Sequence, residues 1–255
     1  MKRIKIAIYQ LGEIGESKYQ DEWKFIKKLA KENKSEIFDL KYEGEIPLPK
    51  NCDMGWSYSN ENLLATIEEH KNNEDADKIL CFVHLPLDKN LFLTTLNKKI
   101  MVATFYQADK ILNNANVNLK NYILLYLYKI SVNYVYKNNG ISDLPKLRHN
   151  DTRICLFDYC GNKEDIIFKA TMPRLCPACE DKIRTVFLSK GVSGLAEFAK
   201  FLSSLNNELK QIKKPLYYRI VDKIKKHPIV TLIITILTTL LLNVVSSLIY
   251  DAIFN

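Results

Sequence analysis

The chain has 255 residues and a formal net charge of +8, a length that allows one domain of ordinary size plus a smaller appendage. Between Glu208 and Lys226 lie seven Lys and Arg but only two acidic residues, so this short segment supplies +5 of the net charge of +8. The remainder is nearly neutral, which excludes a basic stripe for DNA or RNA. We expect no secretory signal, because no sustained apolar run follows Met1.

Short apolar segments alternate with amphipathic ones along most of the chain. Residues 4–11 have the nearly continuous apolar character of a buried strand, whereas residues 19–33 place Trp23 and Ile26 at helical spacing. The predicted strands are residues 4–11, 37–42, 78–85 and 99–105. The predicted helices are residues 19–33, 60–71 (with Asn60 as N-cap), 119–136, 178–189 and 195–212. This order predicts an α/β fold with a mostly parallel sheet covered by helices.

Four of the six cysteines lie within 25 residues, a spacing that favours a metal site in a reducing cytosol. Cys176-Pro-Ala-Cys179 offers two thiolates for one side of a tetrahedral zinc ion. We expect Cys155 as the third ligand, and either His149 or Cys160 as the fourth. Four protein ligands leave no position for water, so the predicted zinc is structural. A redox pair and unligated core cysteines are the alternatives.

The same region resembles that of archaemetzincins, a family of zinc metalloproteases. Their His-Glu-x-x-His-x-x-Gly-x-x-His motif is followed by Cys-x4-Cys-x-Met and then by Cys-x-x-Cys. Here His149 takes the place of the third histidine, Cys155-Leu-Phe that of Cys-x-Met, and Cys176-x-x-Cys179 comes eighteen residues later. Asn150 replaces the first cysteine, and residues 139–143 (Asn-Gly-Ile-Ser-Asp) replace His-Glu-x-x-His. The resemblance, over residues 75–185, implies a degenerate protease domain that keeps its structural zinc but lacks the catalytic one.

Two other patterns were weighed as ligand sites. Gly12-Glu-Ile-Gly15-Glu lacks the third glycine of a dinucleotide loop and the Lys of a P-loop, and it is interpreted as a turn. His84 ends a predicted strand, where α/β sheets usually bind ligands. A satisfied buried histidine is the plainer interpretation. The alternative function is a membrane-tethered hydrolase or nucleotide-processing enzyme with its site near His84.

The end of the chain predicts a single membrane-spanning helix. There is no formal charge between Lys226 and Asp251, and 22 residues, 229–250, would extend roughly 33 Å as a helix. The basic flank predicts a cell-membrane protein with its N-terminal domain in the cytoplasm and its helix in contact with membrane lipid. One side of the helix is polar and could bond a neighbouring helix, although a passive anchor is the alternative. That side contains Thr231, Thr235, Thr239, Asn243 and Ser246.

These features predict four segments. They are an α/β domain (residues 1–190, zinc site at 149–179), a helix with a basic juxtamembrane stretch (191–226), the membrane helix (227–250) and a short tail (251–255). We expect a non-catalytic sensor or effector in which an unknown ligand or partner protein controls homo-oligomerisation of the membrane helix. Permeabilisation of the membrane in bacterial antiviral defence would be one such role, and a scaffold that only localises a partner is a further alternative.

Overall fold

The molecule divides into two units, Met1–Lys213 and Lys214–Asn255, and each is described by itself. The structure is a computed structural model that describes residues 2–12, 18–50, 52, 55, 57–72, 75–138, 146–151, 154–212 and 214–254. Most of the expected turn at residues 12–16 lies outside the described residues. So does the whole of residues 139–143, the segment compared above with the protease histidines.

The first unit is organised around one sheet. Its strands are β1 (Ile4–Leu11), β2 (Phe38–Ile46), β3 (Lys78–Val83), β4 (Leu93–Thr95) and β5 (Ile100–Thr104). They lie in the order β2-β1-β3-β5-β4; all neighbours are parallel except β4, which runs antiparallel to β5 at the edge. The predicted mostly parallel sheet is therefore confirmed. The carboxyl ends of four strands meet along one edge, where α/β sheets bind ligands.

Helices cover both faces of this sheet. They are α1 (Gln20–Glu32), α2 (Asn60–His70), α3 (Ala108–Asn114), α4 (Leu119–Lys137), α5 (Ile166–Thr171), α6 (Pro177–Leu188) and α7 (Val192–Leu209). Successive β1 side chains enter two different hydrophobic clusters, Ile6 and Ile8 with α1 and α4, and Ala7 and Tyr9 with α2. Burial on both faces explains why β1, β3 and β5 are almost continuously apolar, whereas the edge strand β2 is more polar.

Some elements differ from those predicted. Ser59, not Asn60, is the N-cap of α2, because its hydroxyl accepts a hydrogen bond from the backbone N–H of Asn62 (3.1 Å). β4, α3 and α5 were not predicted. They have three, seven and six residues, too few for a periodic pattern to emerge.

A buried carboxylate fastens the end of α7 to the start of β2. Glu208 accepts hydrogen bonds from the Ser35 hydroxyl (2.7 Å), the Glu36 backbone N–H (2.6 Å) and the Tyr128 hydroxyl (3.0 Å). Three donors offset the cost of removing this charge from water. The last turn of α7 is thus fixed to the edge of the sheet.

The second unit consists of two helices, α8 (Leu216–Lys226) and α9 (Pro228–Phe254). In α9, the stretch Pro228–Tyr250 is long and apolar enough to cross a membrane, and none of it is buried. The juxtamembrane stretch was predicted only as a basic segment after Pro215. The structure shows that it is an 11-residue helix.

Candidate functional site

Three parts of the chain bring the candidate metal ligands together. His149 lies on the loop after α4, and Cys155 lies on the turn that follows it. Cys176 is the N-cap of α6, Pro177 occupies its first turn, and Cys179 is one turn further along. Pro is favoured at the start of a helix because its fixed φ suits that position. Cys-x-x-Cys therefore projects both sulfur atoms from the N-terminal end of α6, where the helix dipole favours thiolates.

One ligand atom from each of His149, Cys155, Cys176 and Cys179 lies within 4.8 Å of the other three. We call these four residues the Cys3His cluster. The His149 Nε2 lies 3.5 Å from the Cys176 Sγ. Zinc bonds of about 2.0–2.3 Å in a tetrahedron separate neighbouring ligand atoms by roughly 3.5–3.8 Å. The cluster would need to contract only slightly to hold one ion.

Burial disfavours negative charge on the sulfur atoms, but hydrogen bonding favours it at one of them. The three cysteines are buried, and the backbone N–H of Cys176 donates to the Cys155 Sγ (3.4 Å). Hydrogen bonding from the Cys179 thiol, together with backbone N–H groups, lowers the pKa of Cys155. The same contact with Cys155 raises the pKa of Cys179, whose Sγ also lies 3.3 Å from the Leu147 carbonyl oxygen. These hydrogen bonds therefore favour the thiolate form of Cys155.

Asp158 supports the cluster from behind, a role that the sequence did not indicate. It is 1% exposed; its Oδ1 lies 3.1 Å from the His149 Nδ1, and its Oδ2 accepts from the Cys155 backbone N–H (2.9 Å). The imidazole thus turns Nδ1 to this carboxylate and to the Asp151 carbonyl oxygen (3.2 Å), and Nε2 to the sulfurs, as metal-binding histidines usually do. An aspartate nine residues from its histidine follows no known spacing rule.

A buried lysine lies next to Asp158. Lys169, on α5, is 2% exposed, and its Nζ donates to the Asp158 carbonyl oxygen (3.0 Å). A buried ammonium group is costly unless negative charge is close by. The charge of Lys169 also acts on Cys160, where it opposes the effect of burial on the pKa of that thiol.

Cys160 lies outside the Cys3His cluster. It is half-buried, packs against the hydrophobic core, and burial raises the pKa of its thiol. The backbone is left-handed at Cys160 (φ 55°) and at Ile154 (φ 60°), a conformation that is unusual for a β-branched residue such as Ile154. The chain therefore turns sharply on either side of Asp158. Of the two candidates for the fourth ligand, the structure brings only His149 to the other cysteines.

Among the described residues, the other three histidines belong to no group that could hold a metal ion. His70 is at the exposed end of α2, where its Nδ1 lies 2.9 Å from the Thr66 carbonyl. His84 follows β3, and His227 belongs to the second unit. Among the described residues, His149 is the sole histidine in a group suited to a metal.

A second polar cluster lies at the carboxyl edge of the sheet, after β1, β3 and β5. The Tyr19 hydroxyl contacts both the His84 Nδ1 (2.7 Å) and the Asp109 Oδ2 (2.6 Å), and the Lys18 Nζ is 2.7 Å from the same Oδ2. Burial, assisted by Lys18, lowers the pKa of His84. Burial opposes ionisation of Asp109, but hydrogen bonds from Lys18 and Tyr19 outweigh it and lower the pKa of Asp109. The result is a neutral imidazole connected through a phenol to a carboxylate.

The predicted polar face of α9 divides into two kinds of residue. The hydroxyls of Thr231, Thr235 and Thr239 donate to the carbonyl four residues earlier, at 2.9–3.0 Å. These donors are used within the helix, as is common for Thr in helices. For Asn243, no hydrogen bond to another described residue is found.

No protein-family model and no curated protein matches the chain. Among solved structures, it is similar to archaemetzincin from Methanopyrus kandleri, with 14% identity and a TM-score of 0.41. The likeness covers 72% of this chain and 95% of that chain. At this level it carries no conclusion about activity, which we infer from side-chain geometry alone.

Proposed function

We propose that this chain is a membrane-anchored, non-catalytic protein whose first unit is stabilised by one structural zinc ion. The observation that carries the proposal is the Cys3His cluster, four convergent ligands of the type and number that structural zinc sites use. Thiolate and imidazole ligands favour zinc over magnesium or calcium. With all four positions taken by protein, no water would be bound and activated.

The surroundings of the cluster support an ion of charge +2. Zinc with three thiolates and a neutral imidazole has a net charge of −1, and the buried Asp158 adds another negative charge. The buried ammonium of Lys169 then offsets part of that total. The hydrogen bond with Cys155, together with burial, raises the pKa of Cys179, so a cation would be needed to hold three thiolates together.

The test is the zinc content of the purified full chain. We expect about one zinc per chain. The Cys179→Ser variant should lose the zinc, and Cys160→Ser should retain it, since Cys160 lies outside the cluster. A wild-type chain without zinc, or equal loss in both variants, would contradict the proposal.

We further propose that α9 spans the cell membrane with the first unit in the cytoplasm. The length and composition of Pro228–Tyr250 support the span, and the basic flank before it supports the orientation. Protease added outside intact cells should leave the first unit uncut. Digestion of the first unit by external protease would contradict the proposed orientation.

Self-association of α9 is the proposed route by which the membrane helix acts. The Asn243 amide would lie in hydrocarbon, where a partner on a second helix satisfies it at a gain of about 0.6–2 kcal/mol, roughly 3- to 30-fold in association. Asn243→Leu should therefore lower self-association in a membrane FRET assay. Thr239→Val is the matched control, because the Thr239 hydroxyl already bonds the Thr235 carbonyl. Equal effects of both changes would contradict a specific role for Asn243.

The wider role stays a prediction. The combination of a folded domain with a polar-faced helix supports two further proposals, a ligand or partner protein that controls this self-association and permeabilisation of the membrane in bacterial defence. Depolarisation of cells by the full chain, and its loss in Asn243→Leu, would support an effector role.

The cluster at the sheet edge supports a second candidate function, a hydrolase. The contacts from Asp109 through Tyr19 to His84 place a neutral imidazole at the carboxyl end of β3. We would measure turnover of p-nitrophenyl acetate and bis(p-nitrophenyl) phosphate. Turnover that disappears in His84→Ala and persists in His70→Ala would favour this function.

A further inference from the structure

Helix α8 has one apolar side that is exposed to solvent. At 100° per residue, its apolar side chains fall within less than half of the circumference. They are Leu216, Tyr217, Ile220, Val221 and Ile224. The side chain of Leu216 is 64% exposed and that of Tyr217 is 70% exposed. A stripe of this size on a short helix needs an apolar environment to cover it.

The opposite side of α8 is strongly basic. It presents Arg219, Lys223, Lys225 and Lys226. The one acidic residue of the helix, Asp222, is paired with Lys214 (2.6 Å), so it does not offset those four charges. A surface that fits this helix must therefore combine an apolar layer with negative charge.

The position of α8 in the chain indicates which surface that is. Only His227 separates its last residue, Lys226, from the start of α9. The backbone of His227 is non-helical (φ −133°, ψ 63°), so the two helices are separate, although the His227 N–H still donates to the Lys223 carbonyl (3.0 Å). If α9 spans a bilayer, α8 is held at its boundary, where apolar chains lie beneath charged headgroups.

We propose that α8 is an interfacial helix that lies on the cytoplasmic leaflet, inserts its apolar stripe and binds anionic phospholipid through its basic side. The inference rests on the proposed span of α9 and adds a lipid partner and a second membrane-bound element. Interfacial helices typically combine a strongly polar basic face with aromatic and aliphatic residues on the other face. The stripe of α8 has the aliphatic and aromatic side chains that this requires.

The experiment uses single tryptophan substitutions in the zinc-loaded full chain, reconstituted in vesicles with brominated lipids that quench tryptophan. Tyr217→Trp reports the apolar stripe, Arg219→Trp the basic side, and Leu242→Trp the middle of α9. The wild-type signal from Trp23 and Trp56 is subtracted. Circular dichroism and zinc content establish that each variant is folded.

We expect bromine near the headgroups to quench Tyr217→Trp at least twofold more than Arg219→Trp. That quenching should be stronger in vesicles of phosphatidylcholine with phosphatidylglycerol than in phosphatidylcholine alone. Bromine at the bilayer centre should quench Leu242→Trp. Quenching at Leu242 without a difference between the two α8 positions would overturn the interfacial helix and leave the span intact.

Three other outcomes separate the remaining cases. No quenching at Leu242 would remove the span, and with it the proposed function. Quenching of Tyr217→Trp that ignores lipid charge would overturn the anionic partner. Loss of that quenching as the ratio of protein to lipid rises would show that a second copy of the chain covers the stripe, which overturns the lipid assignment.

Discussion

Asp158→Asn should weaken zinc binding while the fold is retained. The substitution keeps the size of the side chain but replaces one acceptor oxygen with a donor NH2 group. In the native site one oxygen faces the His149 Nδ1 (3.1 Å) and the other accepts from the Cys155 N–H (2.9 Å). An asparagine can satisfy only one of these two donors, whichever way its amide is turned.

The expected size of the effect follows from those two contacts. A buried donor left without an acceptor costs about 1–3 kcal/mol, and loss of a carboxylate behind a metal-binding histidine weakens the metal 10- to 100-fold. A change of that size corresponds to about 1.4–2.8 kcal/mol. We therefore expect the zinc dissociation constant to rise about 10- to 100-fold.

The assay is competition for zinc with a chromogenic chelator at neutral pH. Asp151→Asn is the matched control, because the Asp151 carboxylate is also near the His149 Nδ1 (3.4 Å) but is 56% exposed. An exposed pair of this kind contributes little. Unchanged affinity in a folded Asp158→Asn variant, or an equal loss in Asp151→Asn, would refute the proposed support of His149 by Asp158.

Three further predictions concern stability. Removal of zinc by a chelator should lower the melting temperature of the first unit, and re-addition of zinc should restore it; an unchanged melting temperature would contradict a structural metal. Lys169→Met should destabilise the zinc-bound chain by about 3 kcal/mol, as expected when one partner of a buried charge group is removed, and the zinc-free chain by less; equal losses in urea unfolding would argue against charge compensation. Burial and Lys18 lower the folded-state pKa of His84 below its ordinary value of 6.5, so the stability present above about pH 6.5 is lost as the pH falls towards the folded pKa. His84→Gln should therefore reduce the loss of stability over that interval, and parallel pH profiles for the variant and the wild type would contradict the shift.

The sheet could be predicted from the sequence better than the site could, because strands follow from local patterns whereas the site depends on contacts and backbone turns that spacing does not show. β1 and β3 are recognised from continuous apolar runs, because parallel strands bury both faces and the signal is local. The choice between His149 and Cys160 was not local. It depends on the turn in which the Asp158 N–H donates to the Cys155 carbonyl (3.1 Å), and on the left-handed backbone at Cys160, neither of which spacing reveals.

The cluster at the sheet edge shows the same limit. His84 was noticed because a strand ends there, but its connection to Asp109 passes through Tyr19, 90 residues away from that aspartate in sequence. No pattern in one sequence pairs such residues. The helical form of α8 is hidden for a different reason: charged residues interrupt its apolar ones along the sequence, and the apolar stripe forms only when the residues are placed on a helix.

The hydrogen bonds of Glu208 determine where a force on the end of α7 would reach the sheet. If α9 is anchored in a bilayer, as proposed, movement of the bilayer would pull on the first unit through the connecting chain. This force would act along the chain through residue 214 on the end of α7. The hydrogen bonds of Glu208 would transmit it to Ser35 and Glu36. These two residues lead directly into the edge strand β2, so the force would enter the sheet at its border and not at its centre. Strand β2, which has a hydrogen-bonded neighbour on one side only, would then be the first strand to bear this force.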